Sequence, residues 1–301
     1  MSLDQANKSI FFALGANITI ALAKLGAALK TGSGSMMAEA IHSFSDSANQ
    51  VLLLIGLKRS KRPPNDSFPL GHGKELYFYS FIVSILIFSI GGLFSLYEGF
   101  HKIHATKPLE NPLIAIAVLS FSILAEGAAF LGCLKEVKSL KKNKPLTQWI
   151  KETRKVELLV ILGEDFAAII GLMFALGAIS LTVITGNPIY DAIGSMVIGV
   201  LLIVVSFFLS RQIKDLLVGK GVSPDTRKAY INHIETCEGI CRVLNIVSMN
   251  MGQDVLVSFK VEVEQNISVA QLIKAINEAE VSLKKTFPEI YWLFVEPDSK
   301  K

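Results

Sequence analysis

The chain has 301 residues, 51% of them hydrophobic, and a mean hydropathy of +0.47. That is too apolar for an ordinary soluble domain and points to a membrane protein. A net charge of +4, gathered in particular loops, gives no basis for nucleic-acid binding, and Cys133, Cys237 and Cys241 are too few for a disulfide framework.

Six apolar segments reach the roughly 20 helical residues needed to cross a bilayer. They fall near 10–30, 36–57, 77–100, 111–134, 156–181 and 188–211. The opening MSLDQANKSIFF lacks the cationic start of a signal peptide and the arginines of a transit peptide, so the first span is expected to be retained. Lys58, Arg59, Lys61, Arg62 and Lys74 follow span two. Lys135, Lys138, Lys141, Lys142, Lys144, Lys151, Arg154 and Lys155 follow span four. The loop after span three has only Lys102 and Lys107, and TGNPIYD between spans five and six has no cation. The positive-inside rule then places both termini and the two basic loops in the cytoplasm, of a bacterial inner membrane or an organelle membrane.

After Arg211 the texture becomes that of a soluble domain, dividing the chain into a transmembrane domain over 1–211 and a cytoplasmic domain over 212–301. Ser223-Pro224 opens a helix to about Glu238. Arg242 to Met249 reads as a strand, and DVLVSFKVEVE from Asp254 alternates apolar and polar residues as a half-buried strand does. Ser268 and Gln271 have capping-box spacing, with Leu272, Ile273, Ile276 and Ala279 as the inner face of the helix that follows. Tyr291 to Val295 is a last strand. The order αββαβ predicts a three-stranded sheet with both helices on one face.

Ionisable residues inside the spans are where chemistry is expected, because a charge in hydrocarbon is costly and usually lines a pathway. His42 and Asp46 in span two are four apart, so a helix sets them on one face, within reach of one ion. Glu39 lies one turn before His42. Glu164 and Asp165 in span five are adjacent and point about 100° apart, so they cannot serve one ion equally. No Lys or Arg is expected beside them at that depth of the spans. One nitrogen with two or three carboxylates suits zinc, manganese, iron or cobalt. Glu126 in span four can complete the ion shell, pass a proton, or bond a neighbouring helix; Asn17 reads as structural. In the loop PPNDSFPLGHGKELYFYS, Asp66 and His72, with Asn65, could hold a second, peripheral ion while Gly71 and Gly73 let the chain turn. His101, His104 and His233 read as interfacial or surface residues. No nucleophile–base pair, phosphate loop or nucleotide motif is present, so an enzyme or ATP-driven pump is not indicated.

HSFSD in span two, FPLGHGKELYF, the six spans and the αββαβ terminus together resemble the cation diffusion facilitators, over nearly the whole chain. GHGKELYFYS, the AEG of span four and the LGED of span five resemble the zinc transporter 9-like branch. The resemblance implies a homodimeric secondary transporter exporting a divalent cation, zinc first, in exchange for protons by alternating access. It carries His42, Asp46 and Asp165 over as ligands of the cargo. Where most zinc members have a His four residues before the span-five Asp, this chain has Ile161, so Glu164, Glu126 or water must complete the site. Phe68 stands where a second loop His often does, and the terminal domain lacks the regulatory metal cluster of some relatives, so dimer contact is its implied role. Two alternatives stand beside this: a manganese, iron or cobalt carrier of the same fold, and a membrane metal sensor or scaffold that does not transport.

Overall fold

The computed structural model describes residues 3–104, 108–141, 144–264 and 267–299; Lys107 and Lys142 of the loop cations lie outside these. Helix α1 (Leu3–Thr31) and α2 (Gly34–Ser60) are followed by a 30-residue run, Glu75–His104. In that run α3 (Glu75–Leu86) and α4 (Phe94–His104) are joined through a π-helical segment, Ile87–Leu93. Then come α5 (Pro112–Lys141), the short α6 (Leu146–Glu152), α7 (Val156–Thr185) and α8 (Ile189–Val218). The terminal part is α9 (Pro224–Ile234), β1 (Ile240–Met251), β2 (Asp254–Val263), α10 (Val269–Thr286) and β3 (Ile290–Asp298). Among the described residues, four helices are both long and apolar enough to cross a membrane: Glu75–His104, α5, α7 and α8. Helices α1 and α2, of 29 and 27 residues, have the length of the expected first two spans but a more polar make-up.

The chain forms two compact units. The first comprises Met1–Gly56, Tyr79–Leu146 and Val156–Ile213; the second comprises Leu57–Phe78, Thr147–Lys155 and Lys214–Lys301. In the first, the start of α2 is held by a side chain far away in sequence. Asp191, near the start of α8, accepts from Ser33 Oγ (2.6 Å) and from the backbone N–H groups of Gly34 (2.5 Å) and Ser35 (3.2 Å). Those are donors that the first turn of a helix cannot satisfy itself, and a carboxylate suits the positive end of the helix dipole.

In the second unit the sheet order is β1-β2-β3, antiparallel between β1 and β2 and parallel between β2 and β3. Val255, Val257, Phe259 and Val261 are all fully buried, as the alternation requires, against Tyr230 and Ile234 of α9 and Ala279 and Leu283 of α10. Both helices therefore cover one sheet face. Ser223 caps α9, and Ser268 with Gln271 forms the capping box of α10. Two details differ from expectation. Helix α9 stops at Ile234, before a turn that carries the chain into β1. Ile273 is 54% exposed, because the inner stripe of α10 runs through Ala275, Ala279 and Leu283, and a residue two positions away points to the opposite side.

The loop bearing GHGK belongs to this second unit. Gly73 lies directly against the β1–β2 turn: a Cβ there would stand 1.9 Å from the carbonyl oxygen of Met251. The buried Tyr77 hydroxyl donates to the Gly252 carbonyl and accepts from the Gly252 N–H, both at 3.1 Å. Gly73 is thus required for close backbone approach, which is a different reason from the loop turn that the sequence suggests.

Candidate metal centre

Four helices of the first unit each turn one stripe toward a shared cavity of about 340 Å³. The stripes are Asn17 and Ile20 on α1; Ser43, Asp46 and Gln50 on α2; Glu126, Ala129, Cys133 and Glu136 on α5; and Leu158, Ile161, Glu164, Asp165 and Ala168 on α7. Spacings of three and four residues are what one helix face offers. The cavity therefore gathers Asp46, Glu126, Glu136, Glu164 and Asp165 from three helices, beside the uncharged polar side chains of Asn17, Ser43 and Gln50.

His42 stands behind this wall, 1% exposed, with Nδ1 3.4 Å from Asp46 Oδ1. Neither ring nitrogen has a hydrogen-bond partner among the described residues, and Asp46 Oδ1 has none. Buried polar atoms are nearly always paired, so an imidazole and a carboxylate left open side by side indicate a site for a ligand. Helix α2 brings the pair together as its spacing predicts. Glu164 is 5% exposed and accepts from Asn49 Nδ2 at 2.6 Å, whereas Asp165 is half-buried on the same wall. Ile161 takes its place on the wall one turn before Asp165, with no atom to offer a cation. Among the described residues no three His, Cys, Asp or Glu side chains already converge on a point, so the donors ring the cavity.

Sequence reasoning missed Lys24. It is fully buried, and its ammonium donates to Glu39 Oε2 (3.3 Å), Ser43 Oγ (2.8 Å) and Glu126 Oε1 (2.7 Å). The expectation that no Lys or Arg stands in the spans with the acids overlooks Lys24, which reaches Glu39 and Glu126 rather than Glu164 or Asp165. A signal for it exists: Asn17, Ile20 and Lys24 lie on one face of α1, and a lysine inside a span needs a partner. Asn49 is legible too, since 42, 46 and 49 continue one stripe of α2. Glu39, behind Lys24, packs its other oxygen against Gly171 of α7, where a Cβ would come within 2.5 Å.

In the second unit the two loop residues do not meet each other. His72 is 9% exposed, with Nδ1 2.8 Å from Glu75 Oε1, Nε2 3.5 Å from Asn65 Nδ2, and its ring 4.5 Å from that of Phe68. Asp66 is exposed on the same loop. His72 is therefore brought to Glu75, which sequence reasoning did not single out.

Four helices long and apolar enough to cross a membrane, two of which join α1 and α2 around a cavity bearing carboxylates, define a polytopic membrane protein. The comparison of sequences agrees. Residues 10–218 match the cation efflux transmembrane domain, and the chain belongs to that family of membrane transporters, the cation diffusion facilitators. Proton-coupled zinc antiporter SLC30A9, mitochondrial, of Xenopus laevis is 35% identical over 243 residues, 80% of this chain and 43% of that one. Metal tolerance protein C4 of Arabidopsis thaliana is 32% identical over 221 residues, 73% of this chain and 48% of that one. Manganese efflux system protein MneP of Bacillus subtilis is 26% identical over 294 residues, 95% of this chain and 93% of that one. The chain thus spans less than half the length of the first two of these relatives.

Proposed function

We propose that this chain is a secondary carrier that moves a divalent metal cation, zinc first, out of the cytoplasm in exchange for protons. The observation that carries the reading is the unpartnered His42–Asp46 pair beside a cavity that also collects Glu164 and Asp165. Asp46, Asp165 and His42 serve as donors to the cargo, with Glu164 held in the wall by Asn49. Such donors bind metal as neutral imidazole and ionised carboxylate, so loading sheds protons and protonation releases the ion. Alternating access lets the same exchange occur on each side of the bilayer. Both termini lie in the cytoplasm on this reading, and the terminal domain contributes to a homodimer. The relatives named for zinc and for proton coupling support it.

A second reading, a manganese carrier, is favoured by Ile161 in place of a nitrogen donor, which leaves the wall rich in oxygen. A relative named for manganese efflux covers almost the whole chain. Purified protein in proteoliposomes decides both points. Zinc uptake driven by an imposed pH gradient is expected, lost in His42→Ala and Asp46→Asn, with manganese as competitor ranking the ions. Equal uptake after the gradient is collapsed would refute proton exchange, and binding without uptake would refute transport.

A further inference from the structure

We propose that Lys24 is a positioning residue which makes Glu126 the fourth donor to the cargo, in place of the nitrogen that Ile161 cannot supply. The inference deepens the reading of the cavity as a cargo site and rests on it.

An ammonium has three N–H groups, and Lys24 uses all of them, on Glu39, Ser43 and Glu126. Glu39 alone would balance the charge of a buried lysine. A second acid leaves an excess negative charge inside the bundle, which structure alone does not need and which costs free energy unless a cation answers it. The two acids are not placed alike. Glu39 lies against Gly171 and is not part of the cavity wall, whereas Glu126 is in the wall. Each acid has one oxygen on Lys24 and the other, Glu39 Oε1 or Glu126 Oε2, buried with no hydrogen-bond partner among the described residues; of the two, Glu126 is the one in the cavity wall. His42, 1% exposed and 3.4 Å from the wall residue Asp46, is a second buried group with no hydrogen-bond partner among the described residues.

Helix α5 packs along α7, with the rings of Phe130 and Phe166 6.5 Å apart. Glu126 is one turn from Phe130 on α5, and Asp165 adjoins Phe166 on α7, so the free oxygen of Glu126 comes from the helix facing Asp165. Glu164 is less free to move, because Asn49 holds one of its oxygens at 2.6 Å. Lys24 acts by fixing the carboxylate of Glu126 in one orientation. A ligand so supported binds without paying for its own ordering, and loss of such an outer partner typically weakens metal binding about tenfold to a hundredfold.

The test uses the full chain in detergent, titrated calorimetrically with zinc alone and with manganese alone, and loaded with cobalt for its visible absorption. Glu126→Gln, which keeps an oxygen for Lys24, is expected to weaken zinc binding about tenfold or more and to diminish the intense band of four-coordinate cobalt. Lys24→Met is expected to do the same. The double variant should bind no worse than Glu126→Gln, because the lysine acts only through that carboxylate. Wild-type zinc affinity and an unaltered cobalt spectrum in Glu126→Gln would overturn the proposal, as would losses that add in the double variant. Should Lys24→Met not fold, Glu126→Gln decides alone. Asp46→Asn and Asp165→Asn separate the two levels. If they lose zinc while Glu126→Gln keeps it, only this inference falls; if they also bind as the wild type does, the cargo site itself is wrong.

Discussion

Replacing Gly73 by alanine tests how the GHGK loop is held. The new methyl would stand 1.9 Å from the Met251 carbonyl oxygen and 2.7 Å from its carbon. To reach ordinary contact the two backbones must part by about 1.5 Å, and neither obstacle is a side chain that can rotate aside. Parting the backbones also breaks both hydrogen bonds of the Tyr77 hydroxyl to Gly252 inside a buried region. Overpacking of about 1–3 kcal/mol and stranded polar groups of similar cost give on the order of 2–4 kcal/mol, allowing for overlap between them. That corresponds to about a 30- to 1000-fold rise in the population of the undocked loop. Hydrogen–deuterium exchange on the full chain reads it directly, at the amides of Gly71 and Glu75, which donate within the loop to Phe68 and His72, and at Gly252. Gly127→Ala is the control, since a Cβ there meets nothing within 4 Å. Unchanged protection at these amides in Gly73→Ala would show that the loop is not held by this contact.

Three further outcomes are expected. Asn49→Leu removes the donor that Glu164 accepts from at 2.6 Å and leaves that buried carboxyl unpaired, which should cost about 1–3 kcal/mol, seen as a lower thermal midpoint in detergent. Asp191→Ala strips the start of α2 of the acceptor for Ser33, Gly34 and Ser35, and should cost about 3 kcal/mol, seen as a lower thermal midpoint in detergent with Asp191→Asn between it and the wild type. Burial, and then the Glu289 carboxylate that accepts from its hydroxyl at 3.0 Å, raise the Tyr230 phenol above its ordinary range. Its folded form resists ionisation, so its share of stability is whole below about pH 10 and is lost as pH climbs further. Denaturant unfolding followed by Trp149 and Trp292 fluorescence at pH 9 and pH 11 should therefore show a larger loss for the wild type than for Tyr230→Phe.

The terminal domain is legible in the sequence because its signals are local. Val255, Val257, Phe259 and Val261 alternate within one strand, and Ser268 with Gln271 completes a cap within four residues. The His42–Asp46 pair is legible for the same reason: one helix turn places both residues. The π-helical segment at Ile87–Leu93 is not: Gly91-Gly92 weakens an ordinary apolar helix there but does not say that the winding changes to π. Nor is the partner of His72, because Asp66 and Glu75 both lie within reach along the chain and only the folded loop chooses Glu75.

Lys24 shows a different limit. Its partner Glu126 is 102 residues away, and no periodicity links them. Charge balance inside hydrocarbon still constrains the answer: Glu39, Asp46, Glu126, Glu164 and Asp165 must each be protonated or answered by a cation, and Lys24 is the one basic residue well inside the first span as the sequence bounds it. A charged lysine inside a span calls for an acid partner, though weighing acids against bases does not say which acids supply it. The fold makes the choice by giving Lys24 both Glu39 and Glu126, which leaves Asp46, Glu164 and Asp165 without a lysine among the described residues. The acids so left over belong to the cavity wall, and the proposed exchange of a divalent cation for protons rests on them, through the same charge balance that gives Lys24 its acid partners.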